Sequence, residues 1–161
     1  MHKQPSHLED SVEKIVKRNE DKMLRVAFAI LGSKADAEDI VQDAFVSLFE
    51  KRMVFESFEH ETAWLVRVTA NLCKSRLRSH WWKKTEPLSD IYPAQNETQQ
   101  ELIKTVLSLP SKYRTVIHLY YYEGYSSREI AEITKQKEST VREQLTRARR
   151  MLKVYLKGEE L

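Results

Sequence analysis

Apolar residues recur every three or four positions along most of this chain, and that period predicts α-helices rather than strands. Leu8, Val12, Ile15, Val16, Met23, Val26, Ala27, Ile30 and Leu31 form the first series, read as one long helix or two in line. Gly32 is placed to end it and Ser33 to cap the next helix, with Asp36 three residues further on. Ala37, Ile40, Val41, Ala44, Phe45, Leu48 and Phe49 then fall on one face of a second helix. Residues 52–61 break the period and read as a loop. A third helix, from about Thr62, is predicted to bury Trp64, Leu65, Val68, Leu72 and Cys73. It runs into a basic, aromatic stretch from Arg76 to Lys84, where Trp81 and Trp82 either cover the end of the domain or meet the segment beyond it.

The texture then changes. Residues 85–100 hold two prolines, many polar side chains and no period, which reads as a flexible linker. Beyond it, Leu102, Ile103, Val106 and Leu107 predict a helix stopped by Pro110. Ser111 is placed to cap another, through Tyr113, Val116, Ile117 and Tyr120, which Gly124 terminates. The predicted fold class is therefore all-α. Two small helical domains, residues 1–84 and 101–161, flank the linker at 85–100, and the second ends in a helix-turn-helix.

That last motif carries the sharpest signal. Ser126 and Glu129 have the Ser-x-x-Glu spacing of a capping box, so a helix starts there and runs through Ile130, Ala131 and Ile133. Thr134 to Glu138 reads as a polar connector. Ser139 or its neighbour then caps a second helix with Val141, Leu145, Ala148 and Leu152 inward. Outside remain Arg142, Glu143, Thr146, Arg147, Arg149, Arg150 and Lys153. Ser139 to Lys153 holds five basic residues and one acidic, a local charge of +4 in a chain whose total is +3. Charge on a helix face is often only solvation. Here the sign bias, the capping box and the spacing together point to a helix lying against phosphate, with side chains left over for base edges.

Composition narrows the alternatives. At 161 residues with 32% charged side chains, three glycines and four prolines, the chain suits one ordinary domain or two small ones. A single cysteine, Cys73, leaves no internal disulfide and no multi-cysteine zinc site, so a reducing cytoplasm is the expected location. The five histidines are scattered without metal-ligand spacing, and there is no phosphate-binding glycine loop and no nucleophile-plus-base constellation. No metal, no cofactor, no small-molecule ligand and no catalytic residue is expected. No apolar run is long enough for a membrane span, and the first ten residues are too polar for a signal peptide.

Two further faces invite partners. The segment from Asp36 to Glu50 is acidic, and Asp39, Gln42 and Asp43 share one exposed edge, suited to a basic protein surface or simply to solvent. Asn71, Lys74, Ser75 and Arg78, at spacings of three and four, line a basic face of the third helix that suits nucleic acid.

Four stretches in order, DAEDIVQDAFVSLFE (36–50), AWLVRVTANLCKSRLRS (63–79), LPSKYRTVIHLYYYEGYSSREIAEI (109–133) and STVREQLTRARRMLK (139–153), resemble the extracytoplasmic-function sigma factors of bacteria. These are two-domain initiation factors of RNA polymerase. The resemblance implies binding to core RNA polymerase through Asp39, Gln42 and Asp43. It implies capture of an unpaired base of the minus-ten promoter element by the loop at about 55–61, with Phe58 and His60, and reading of that element by Asn71, Lys74, Ser75 and Arg78. It implies binding of the minus-thirty-five element by Arg128, Ser139, Thr140, Arg142, Glu143, Thr146, Arg147 and Arg150, with Arg142, Glu143, Thr146 and Arg147 reading it in the major groove and Arg149, Arg150 and Arg128 on phosphate. The linker would thread toward the polymerase active-site channel. The resemblance further implies an anti-sigma factor, often membrane-bound, as a partner. The competing reading of the same residues is a stand-alone helix-turn-helix regulator of duplex DNA; a protein-interaction module is a third.

Overall fold

The computed structural model describes residues 11–79 and 96–156; Leu8, Trp81, Trp82 and most of the expected linker lie outside the described residues. Among the described residues the regular structure is helical throughout. Three helices, α1 (Val12–Leu31), α2 (Lys34–Lys51) and α3 (Phe58–Ser79), pack pairwise on one another and form the first domain. The second comprises α4 (Glu97–Ser108), α5 (Ser111–Ile117) with a π-helical turn at His118–Tyr122, α6 (Ser127–Thr134) and α7 (Glu138–Leu156). No helix among the described residues is long and apolar enough to cross a membrane.

The first series of apolar residues is one helix, capped by Ser11 and closed by Gly32, whose φ of 70° is the left-handed conformation that glycine adopts without a Cβ penalty. Its N–H donates to the Phe28 carbonyl at 2.7 Å. Ser33 caps α2 by accepting from Asp36 N at 3.3 Å. The α2 stripe from Ala37 to Leu48 is buried as its period predicts. Met23, Phe28, Leu31 and Leu65 are fully enclosed, each worth about 1.5–3 kcal/mol of apolar burial.

Three elements depart from the sequence pattern. Helix α3 starts at Phe58, four residues before the expected Thr62, because Ser57 Oγ accepts from His60 N at 3.0 Å and the acidic Glu59 and Glu61 occupy the positive N-terminal turn. The expected loop is thus confined to residues 52–57. Helix α3 also buries Val66, Thr69 and Ala70, while Trp64, Val68 and Leu72 stay partly exposed; it packs on α1 and α2 and also on α6 of the second domain. Finally, the π-helical turn inserts a residue after α5 and rotates the register. His118 and Leu119 turn inward and Tyr120 outward, where an uninterrupted period puts Tyr120 inside. Gly124, at φ 79° with open space about it, is there for its backbone conformation.

Helix α4 begins at Glu97, inside the segment read as linker. Ser111 does not cap α5; Pro110 holds that position, and the Ser111 hydroxyl donates instead to the Ile30 carbonyl at 2.7 Å. The two domains are in contact, and their buried side chains form one continuous apolar cluster.

Candidate nucleic-acid interface

Helices α6 and α7 form the expected helix-turn-helix. Glu129 N donates to Ser126 Oγ at 3.1 Å and Ser126 N to Glu129 Oε1 at 2.9 Å, the reciprocal bonds of a capping box. Thr134 closes α6, Lys135 turns left-handed at φ 55°, and α7 begins at Glu138. Ser139 therefore sits within the first turn of α7 and is exposed. The polar connector is braced by side chains: Gln144 Nε2 donates to Gln136 Oε1 at 2.8 Å, Gln136 Nε2 to Thr134 Oγ1 at 2.8 Å, and Ser127 Oγ to Glu138 Oε2 at 2.9 Å. Amide and hydroxyl groups thus hold the angle between the helices.

Val141, Leu145 and Ala148 are buried, which fixes the outward face of α7. Thr140, Arg142, Glu143, Thr146, Arg147 and Arg150 are all exposed on it, with Arg128 exposed at the start of α6. Arg142 lies 2.9 Å from Glu138, and its hydrogen bond, with that of Ser127, holds Glu138 below the ordinary carboxylate range. Arg147 pairs with Glu143 at 3.7 Å. Such exposed pairs are weak, so either guanidinium can leave its partner for a stronger anion. Arg149 differs from these. Its Nε donates to Tyr121 Oη at 2.6 Å, and its guanidinium lies over the rings of Tyr120 and Tyr121. The tyrosines draw it away from the face its neighbours share.

On α3, Ser75 and Arg78 are exposed and Asn71 is half-buried; Arg78 Nη2 donates to Ser75 Oγ at 3.3 Å. Lys74 is turned elsewhere, for its Nζ donates to the Thr134 carbonyl of the second domain at 2.6 Å. Phe58 and His60 lie in the first helical turn of α3. Phe58 is exposed beneath the Arg18 guanidinium, 4.3 Å from its ring centre. His60 Nδ1 accepts from Glu56 N at 3.3 Å, and its ring stands edge-on to Phe55. Phe55, also within the expected capture loop, is buried in the core.

Asp39, Gln42 and Asp43 do share an exposed edge of α2. Arg76 reaches to its margin, 3.2 Å from Asp36 and 3.6 Å from Asp39. Cys73 is fully buried, and desolvation pushes its thiol well above the ordinary value, so it packs and does not react.

Two buried polar clusters carry no signal at the level of period or motif. Glu61 accepts from Arg18 and Asn19, and Thr62 Oγ1 donates to Asn19 Oδ1 at 2.6 Å. Glu123 accepts from Arg25 at 3.1 Å and lies 2.7 Å from His118 Nε2. Only a buried acidic residue without a local partner could have flagged them, and burial is not readable there without the fold.

Residues 15–83 match Sigma-70 region 2, and residues 99–152 match Sigma-70, region 4. The chain is 30% identical to the ECF RNA polymerase sigma factor SigW of Bacillus subtilis, over 92% of this chain and 90% of that protein. It is 29% identical to the ECF RNA polymerase sigma factor SigE of Mycolicibacterium smegmatis over 91% of this chain, and spans 62% of the length of that relative. Among solved structures, the sigma factor RpoE of Bartonella quintana, in complex with the anti-sigma factor NepR, shares the fold: TM-score 0.73, 22% identity, 92% of this chain and 98% of that one.

Proposed function

The chain belongs to the ECF sigma factors of RNA polymerase, and from that premise we propose that it binds core RNA polymerase and directs promoter recognition and strand opening. The observation that carries this reading is the exposed face of α7. Arg142, Arg147, Arg150 and Lys153 project from a helix whose inward stripe and polar turn fix which face is outward. Such a face lies in a major groove with guanidinium groups toward guanine edges and phosphates.

The work divides between the domains. Residues 1–84 dock on polymerase through Asp39, Gln42 and Asp43 and meet the minus-ten element through Phe58, His60, Asn71, Lys74, Ser75 and Arg78. Residues 101–161 meet the minus-thirty-five element through Arg128, Ser139, Thr140, Arg142, Glu143, Thr146, Arg147 and Arg150, and residues 85–100 connect the two. An anti-sigma factor is the expected antagonist, as NepR is the anti-sigma factor bound to the Bartonella quintana relative. The cytoplasm, where polymerase works, is the expected location, and we assign the chain no catalytic step of its own.

In vitro transcription with purified core polymerase tests the proposal. Promoter-dependent transcript should appear only when the chain is added. The chain alone should bind promoter duplex weakly, because two small domains need the polymerase to fix their separation. What binding remains, being made largely to phosphate, should fall steeply with salt. Tight, sequence-specific binding by the chain alone, with no transcript on addition to core, would establish the stand-alone regulator instead.

A further inference from the structure

Phe58, the first residue of α3, keeps 46% of its surface exposed, and a series of contacts from the core holds its ring in place. The Arg18 guanidinium of α1 lies over that ring, 4.3 Å from its centre and well within the reach of a cation–π contact. The guanidinium is itself fixed. Its Nε and Nη2 donate to the two carboxylate oxygens of Glu61 at 2.9 Å each, a bidentate pair that sets the plane of the fork as well as its position. Glu61 is buried, and it takes a further bond of 2.8 Å from buried Asn19, which in turn accepts from the Thr62 hydroxyl. Asn19 and Glu61 thus fix Arg18, and Arg18 fixes Phe58. Such support is more than a surface ring needs for stability, and it suits a ring whose orientation matters.

We propose that Arg18 is a positioning residue for base capture: from α1 it presents Phe58 as a flat stacking platform for the unpaired base of the minus-ten element. The inference rests on the function proposed above and adds to it a residue of a different helix. The charges about the platform favour stacking over phosphate contact. Glu56 and Glu59, which flank Phe58 in sequence, are both exposed, and Arg18 is already engaged by Glu61. A phosphate approaching this turn meets more repulsion than attraction. The face of a base carries no net charge, so an aromatic ring accepts it whatever the sign of its surroundings. His60 backs the turn: its Nδ1 accepts from Glu56 N and its ring stands against buried Phe55, while Phe58 carries the stacking.

The test uses holoenzyme assembled from the full chain and core polymerase. Its ligand is the single-stranded minus-ten segment of a promoter it transcribes, with an abasic site placed at each position in turn. In the wild type, removing the captured base should weaken binding about tenfold, the contribution of one stacked base. Phe58→Ala should bind the intact strand about tenfold more weakly, and removing that base should then cost nothing further. Arg18→Met combined with Glu61→Met exchanges the ion pair for apolar side chains and so spares the fold, as circular dichroism and urea unfolding verify. It should lose about threefold at that one position, with the salt slope unchanged. If this variant fails to fold, Arg18→Lys gives the same reading, since it keeps Glu61 paired but offers no planar fork. A purely structural role would instead weaken every position alike. An undiminished cost at the captured position in a folded Arg18 variant, an equal loss at all positions, or a base removal that still carries its full cost in Phe58→Ala would each overturn the inference. So would promoter-directed transcription in which no minus-ten position shows such a cost, and that result leaves the proposed function standing. Absence of any transcript with core polymerase would instead sink the proposed function itself.

Discussion

Glu61 accepts two hydrogen bonds of 2.9 Å from Arg18, forty-three residues earlier in the chain, while its own side chain is almost wholly buried. Asn19 adds a third bond at 2.8 Å. The cluster ties the first turn of α3 to α1 and so sets where the preceding loop and Phe58 stand. Breaking a buried charge pair from one side leaves the other charge uncompensated. Glu61→Ala should therefore destabilise the chain by about 3 kcal/mol. Glu61→Gln, which keeps an acceptor, should cost less. Urea unfolding of the two variants gives the comparison; equal midpoints for Glu61→Ala and wild type would show that the cluster contributes nothing.

The second cluster makes stability depend on pH. Burial holds His118 below its ordinary value of 6.5, against the pull of its hydrogen bond to Glu123. For Glu123, burial works against ionisation, but the hydrogen bonds of His118 and Arg25 outweigh it and hold the carboxyl below 4.5. The charged groups facing His118 are Glu123, Arg25 and Lys22. Both groups bind fewer protons folded than unfolded, so stability rises with pH. The His118 contribution is whole above pH 6.5 and is lost as pH falls from there through the folded value; that of Glu123 follows below pH 4.5. The urea midpoint should fall between pH 7.5 and 5.5, and His118→Leu should flatten the dependence in that window. An unchanged slope in the variant would assign the effect elsewhere.

How much of the molecule is legible in its sequence depends on how far apart the interacting residues are. Helices α1, α2 and α7, the caps at Ser33 and Ser126 and the outward face of α7 follow from local spacing, because the groups that decide them lie within one or two turns. The start of α3 escapes the pattern because Glu59 and Glu61 look like loop residues. The local sign is Ser57 ahead of two acids, and the stronger one, the Arg18 pair, is long-range. Arg114 sits beside Lys112, Tyr113 and Thr115 on α5, and nothing nearby shows that it is buried; its acceptors at Ala29 and Ile30 lie some eighty-five positions away. Lys74 is legible as a cation on a helical face, but the carbonyl that holds it belongs to the other domain. Local periodicity specifies each domain, and the contact between the domains leaves no trace in it.

Reversing Asp39 and Asp43 to Lys should abolish core polymerase binding without unfolding the chain. Both lie outside the buried stripe of α2, and Asp39 contributes only the outer of the two contacts to Arg76. Charge reversal on a docking rim turns attraction into repulsion and shows in association first. Co-elution with core, alongside circular dichroism, gives the result. A folded double variant that assembles with undiminished affinity would remove these residues from the docking surface.

The arginines of α7 should separate by role. Arg142 and Arg147, near the start and middle of the helix, need only release surface partners, Glu138 for the first and Tyr113 with Glu143 for the second, to reach base edges. Arg142→Ala or Arg147→Ala should cost about 1–3 kcal/mol and relax preference at particular base pairs of the upstream element. Arg150→Ala should weaken all sequences alike and flatten the salt slope by about one unit. Arg149→Ala should do less than Arg150→Ala, because Tyr121 and Tyr120 already hold that guanidinium. Asn71→Ala, on the other domain, should leave upstream preference intact and impair strand opening. Transcription from promoter variants reads the base preferences, and permanganate footprinting of the open complex reads the opening. Were Asn71→Ala to alter minus-thirty-five preference, or Arg142→Ala to alter minus-ten preference, the assignment of one element to each domain would fail.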